Sequence, residues 1–157
     1  MSAITPDTAA AKDAEFCIPL DSDSTAPALS RRVVGAALAR CGADLEAASD
    51  VLLVVSELVT NAVEHALPPL TLRIHVHFGS SGDQWVQLDV YDCGCAATHG
   101  SWIASCDDDE HGRGSTIVDS LATRVGSDQL DEGVVDHWAV VPVSESADGC
   151  PTHAGHV

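Results

Sequence analysis

Three groups of residues in this chain have types and spacings suited to chemistry. The first is a polar stripe of Glu57, Asn61 and His65, at i, i+4 and i+8 within VLLVVSELVTNAVEHA, the run from Val51 to Ala66. The same periodicity gathers Ala48, Val51, Leu52, Val55, Leu58, Val59, Ala62 and Ala66 on one helical face, and Leu53 and Val54 add apolar surface on the other side. A helix apolar nearly all round is normally covered by protein, so the stripe is expected to line a cleft. A solvated helix face is the alternative. The second group is Asp92-Cys93-Gly94, closing a run whose alternation puts Asp92 on the face of Val86, Leu88 and Val90. A carboxylate there needs a donor, because burying it unpaired is costly. Asp-x-Gly also marks ordinary turns. The third is Gly112-Arg113-Gly114, directly before Ile117, Val118, Leu121, Ala122 and Val125 at helical spacing, with Gly126 past their end. Glycines at a helix N-terminus free backbone amides to point at an anion, and the helix dipole adds to them. The pattern suits a phosphate cradle, with a flexible turn as the alternative.

The elements that must position these groups follow from pattern. Residues 1–15 carry no periodicity and read as a disordered N-terminus. Phe16 to Leu20 is short and apolar, and Pro19 removes a ladder donor, which predicts an edge strand. Ser24, Thr25 and Pro27 open a first helix that repeats Val33, Val34, Ala37, Leu38 and Cys41 until Gly42, with Arg31, Arg32 and Arg40 on its exposed side. Those arginines serve solubility, or alternatively a docking or dimer surface. Asp44 is placed to cap the central helix, Glu46 suits its dipole, and Leu67-Pro68-Pro69 ends it.

Leu70 to Phe78 alternates apolar residues with Thr71, Arg73, His75 and His77, predicting a strand with one wet face. His75 and His77 read there as exposed strand histidines, a metal pair being the alternative. After a turn at Gly79 to Asp83, Gln84 to Asp92 completes an antiparallel hairpin. Cys95 to His111 lacks a period and carries the acidic run Asp107 to Glu110, which is expected to point outward into solvent. Gly133 to Val141 predicts a last strand beside the hairpin, and residues 143–157 a disordered tail.

Composition narrows the function. A chain of 157 residues with 45% hydrophobic content suits one domain, spanning 16–142. Seven basic residues against 24 acidic ones, a net charge of −17, exclude nucleic acid as a direct partner. No basic, apolar leader opens the sequence and no apolar run could span a bilayer, so a cytoplasmic protein without membrane contact is expected. The six cysteines are irregularly spaced, so reduced thiols are expected. A redox or zinc role for Cys93, Cys95, His99, Cys106 and His111 is the alternative. No GxxxxGK[ST] occurs, which removes a P-loop.

ELVTNAVEHA resembles the N-box of the GHKL ATPases, most closely that of the anti-sigma-factor serine/threonine kinases. Asp92-Cys93-Gly94 and GRGSTIVDSLA resemble that family's DxG element and second glycine box, in the same order. The resemblance covers roughly residues 16 to 142. It implies a Bergerat-type α/β (α+β) two-layer sandwich with helices on one face of a mixed, mostly antiparallel sheet, and the order of elements agrees.

It also implies ATP and Mg²⁺ as ligands. Glu57 would orient or activate the nucleophile and Asn61 would bind Mg²⁺. Asp92 would accept the adenine amine, Gly94 would let the backbone approach the base, and Gly112, Arg113, Gly114 and Ser115 would hold phosphate. Cys95 to His111 would be the lid over the nucleotide. The implied partners are a sigma factor and an anti-anti-sigma antagonist of the STAS type, with homodimerisation as a further family expectation. Three departures favour a non-catalytic partner-binding module instead: the acidic lid, Ser115 where the family more often has a large aliphatic residue, and no Thr in Gly133-Val134-Val135. A sensor histidine kinase catalytic domain is a third reading, disfavoured because no phosphoacceptor helix precedes the domain.

Overall fold

Alternation along the hairpin decides which side of the sheet is covered. Leu70, Leu72, Ile74 and Val76 of β2 (Leu70–Phe78) and Val86, Leu88 and Val90 of β3 (Gln84–Asp92) are all buried on one face. The structure, a computed structural model, describes residues 13–43, 45–79, 82–96 and 113–144. Among them, β1 (Ala14–Leu20), β2, β3, β4 (Arg124–Gln129) and β5 (Val135–Ser144) form one sheet in the order β1-β2-β3-β5-β4. Every pairing is antiparallel, so the mixed sheet expected from the sequence is antiparallel throughout these strands.

Three helices complete the two-layer α+β sandwich: α1 (Ala26–Arg40), α2 (Leu45–His65) and α3 (Arg113–Leu121). α2 packs on β3 and β5, α1 lies against α2 and β2, and α3 stands beside α2 and β4. Val51, Val54, Val55, Val59 and Ala62 of α2 join the buried strand residues in one core. Each such valine contributes on the order of 1.5–3 kcal/mol by leaving water. Val54, placed by periodicity away from the main apolar face, is fully buried, whereas Leu53 is 43% exposed. The difference arises because α2 is covered on two sides, by the sheet and by α1. Arg31, Arg32 and Arg40 lie exposed on α1, as the pattern required. No described helix is long and apolar enough to cross a membrane.

Three further expectations are corrected. β1 begins at Ala14, two residues before the apolar FCIPL run, so Glu15 belongs to the sheet. Asp44 lies outside the described residues. α3 stops at Leu121, and Val125 and Gly126 belong to the added strand β4. The hairpin forms because Leu130 to Val134 reverses the chain with Glu132 at φ 62° and Gly133 at φ 80°. Gly126 lies opposite Trp138, whose indole fills the space a side chain would need, and Trp138 Nε1 donates to Asp128 Oδ2 at 2.8 Å. Finally, Cys95 is disulfide-bonded while Cys17, Cys41 and Cys93 are free, so the thiols are not all reduced.

The face of the sheet away from the helices carries charge that water barely reaches. Asp89 is fully buried there; Arg73 Nε donates to its Oδ2 at 3.2 Å and Gln87 Nε2 to its Oδ1 at 2.8 Å. The Arg73 guanidinium lies 5.6 Å from the centre of the Tyr91 ring. Burial, and next the charge of Asp89, push the Tyr91 phenol up to about 12. Asp136, opposite Tyr91, is pushed up to about 6, first by burial and then by Asp89.

The sign of the Asp136 effect is fixed by linkage. Folded, the carboxyl keeps its proton to about 6, while the unfolded chain releases it near the ordinary value of 3.8. Between those values the folded state binds more protons, so this group makes stability fall as pH rises through the window. Asp136→Asn should therefore be more stable than the parent by on the order of 1–2 kcal/mol at neutral pH, after discounting for solvent screening, and about equal to it near pH 4. Urea unfolding of both proteins across this range measures the difference.

Candidate functional site

The end of α2 and the end of β3 are stitched together by backbone hydrogen bonds. The Leu67 N–H donates to Gly94 O at 2.8 Å, the Cys93 N–H to Leu67 O at 2.9 Å, and the Ala96 N–H to His65 O at 2.9 Å. Ala66 and Cys95 form an antiparallel bridge at the same place. The prolines after Leu67 cannot continue a helix ladder, so the chain leaves α2 with carbonyls and amides that pair with the segment after β3. The His65 end of the stripe on α2 and the Asp-x-Gly turn therefore meet at one corner of the sandwich.

On α2, Glu57 and His65 are half-buried and Asn61 is exposed, one turn of helix apart. The stripe thus runs along the border of the covered surface. Glu57 faces α3: a side chain at Gly114 would overlap the Glu57 carboxylate, whose Cδ would lie 3.3 Å from the added carbon. The absence of a side chain at Gly114 is what lets the N-terminal turn of α3 approach this carboxylate. Ser115 is half-buried in the same turn. Gly112 lies outside the described residues, as does the lid beyond Ala96, and Arg113 is described by its backbone alone.

Asp92 behaves as its alternation required: it is 1% exposed at the end of the covered face of β3. Its Oδ1 accepts the Gly94 N–H at 2.7 Å, closing a turn in which Gly94 adopts φ 87°. Only glycine takes that left-handed conformation without strain. The backbone oxygen of Gly133 lies against the open side of Gly94, which brings the turn before β5 to the same corner.

One neighbour of Asp92 escaped the sequence reading. His137 Nε2 stands 3.1 Å from Asp92 Oδ2, yet among the described residues that oxygen receives no hydrogen bond. The two observations agree: the imidazole is close enough to pair electrostatically, but not aligned to donate. His137 is 43% exposed at its side chain, so Asp92 is the covered member of the pair. The signal was present in β5, where His137 shares the parity of the buried Ala139 and Val141. A histidine on the core parity, at the same end of the sheet as a buried aspartate, marks a pair.

These residues fit a nucleotide with its cation. A buried carboxylate oxygen without a donor suits an exocyclic amine, a left-handed glycine beside it opens the backbone to a flat base, and an exposed amide on α2 is free to meet a hydrated cation. The cramped Gly114 position keeps the start of α3 close to Glu57.

Comparison with known proteins agrees with the fold. A family model described as the histidine kinase-like ATPase domain matches residues 19–135. No curated protein matches the chain. Among solved structures, the chain is similar to the RsbU and RsbW domains of Rv1364c from Mycobacterium tuberculosis, at 20% identity and a TM-score of 0.58. The match covers 85% of this chain and 34% of that one, so this chain spans about a third of that structure's length.

The contact between Glu57 and Gly114 generates a double-mutant test. Gly114→Ala alone should destabilise by about 1–3 kcal/mol through overpacking against Glu57. In a Glu57→Ala background the same substitution should be neutral or stabilising, since alanine is the better helix former by roughly 1 kcal/mol. Thermal unfolding of the four proteins reads the coupling, and additive effects would contradict the contact.

Proposed function

The chain belongs to the histidine kinase-like ATPase domain family, and from that premise we propose that it is an ATP-binding regulator of the anti-sigma-factor type. In this reading it sequesters a sigma factor and phosphorylates a seryl or threonyl hydroxyl of a STAS-type antagonist. The observation that carries it is the buried Asp92 carboxylate, whose Oδ2 lacks a hydrogen-bond donor among the described residues, beside the left-handed Gly94.

Each residue then has a task set by its place. Asp92 accepts the amine of adenine, and Gly94 lets the backbone approach the base. His137 holds positive character near the carboxylate when protonated and steadies it without filling its acceptor position. Amides at the start of α3, from Arg113 to Ser115, face the phosphates, with the helix dipole in support. Asn61 offers its side-chain oxygen to Mg²⁺. Glu57, held against Gly114, orients the incoming hydroxyl and accepts its proton. Bound MgATP supplies the phosphoryl group and the charge neutralisation that transfer requires. The exposed arginines of α1 give an otherwise acidic protein one basic surface for a partner or for a second copy of the chain. The reading places the protein in the cytoplasm, where such partners act.

A second reading, a partner-binding module with little nucleotide use, is favoured by one observation. His137 already stands 3.1 Å from the oxygen that would receive the base, on the strand whose start, Gly133-Val134-Val135, offers no threonine.

Calorimetric titration of the full chain with ATP and Mg²⁺ separates the two. The regulator reading requires saturable binding that Asp92→Asn weakens at least tenfold, which corresponds to about 1.4 kcal/mol. Glu57→Ala should keep that affinity and abolish phosphate transfer to the antagonist. Neither heat nor a shift in melting temperature at millimolar ATP, together with tight partner binding, would establish the module instead.

A further inference from the structure

On the face of the sheet away from the helices, three side chains converge that the nucleotide site does not use. His75 and His77 lie two residues apart on β2 and therefore project from the same face. Asp13, just before β1, reaches both: its Oδ2 is 3.4 Å from His75 Nε2 and 3.0 Å from His77 Nδ1. One donor atom from each of the three lies within 4.8 Å of the other two.

We propose that Asp13, His75 and His77 form a binding site for a divalent transition cation of the zinc class. Two imidazoles and one carboxylate are a donor set that zinc accepts, and tetrahedral zinc with bonds of about 2.0–2.2 Å sets neighbouring donors roughly 3.3–3.5 Å apart. The two separations from Asp13 approach that spacing without movement of the backbone. The ligands are also oriented from outside. Asp13 Oδ1 accepts the Phe78 backbone N–H at 3.2 Å, which fixes the carboxylate and leaves Oδ2 for the cation. Trp85 stacks on the His77 ring with centroids 4.4 Å apart and meets His75 edge-on at 5.9 Å, so both imidazoles are braced by one indole. The side chains of His75 and His77 are 31% and 32% exposed, which leaves the remaining coordination positions to water.

Such a cation would clip the start of edge strand β1 to β2. Because His75 and His77 lie on the face of the sheet opposite the one that carries Asp92, binding here is independent of the nucleotide site.

The test uses the full chain, stripped with chelator and titrated with ZnCl₂. Long-range ¹H–¹⁵N spectra of the imidazoles should show His75 and His77 shifting with added zinc, and a competition dye should count one site fewer in the His75→Asn/His77→Asn double variant. Zinc should raise the melting temperature of the parent by several degrees more than that of the double variant. Asp13→Asn, an isosteric change at an exposed position just before β1, should weaken this site at least tenfold. Counting against the parent separates the site from any zinc held by cysteines. Equal zinc counts in parent and double variant, or His75 and His77 signals that stay fixed while zinc saturates the protein, would overturn the proposal.

Discussion

A carboxylate taken almost wholly out of water at the end of a sheet is the constraint around which the site corner is arranged. An ionised aspartate in that position is costly unless polar groups replace its hydration. Asp92 obtains one such group by turning the chain so that the Gly94 amide reaches back to it, which in turn demands a left-handed residue. The His137 imidazole stands 3.1 Å from its other oxygen across the strand pair. One oxygen is left short of a donor. The structure around it is fixed by backbone pairing between the end of α2 and the residues after β3, so the unmet acceptor cannot be relieved by local drift. A group kept unsatisfied by a rigid frame is preorganised for a donor that arrives from outside.

The opposite face of the sheet meets the same electrostatic problem differently. Asp89 is as deeply buried as Asp92, but Arg73 and Gln87 occupy both its oxygens, and the arrangement is closed. Asp136 has no equivalent partner and shifts toward its neutral form. Three buried aspartates among the described residues thus take three courses: internal pairing, a carboxyl pushed up to about 6, and an oxygen left open. Only the last leaves a functional opportunity.

Much of this was legible in the chain. Alternation alone placed Asp92 on the covered face, and the limits of the hairpin strands and the apolar face of α2 followed from period. The N-box, DxG and glycine elements were readable as motifs, but not the contact between Glu57 and Gly114, since two helices far apart in sequence carry it. β4 was missed because its residues are polar and it holds a glycine; its strand conformation comes from pairing with β5 and from the Trp138 ring laid over Gly126, both of them tertiary. His137 was not singled out, since its meaning depends on which strand becomes its neighbour.

The missing side chain at Gly114 has a consequence for motion. The Glu57 carboxylate occupies the place a methyl group would take, so the start of α3 and the middle of α2 are in direct register, like a tooth in a notch. Sliding α3 along its axis would drive its backbone into that carboxylate or draw away from it. A displacement of the start of α3 is therefore felt at Glu57 within one atomic contact, and the aim of that side chain becomes a gauge of where the helix stands.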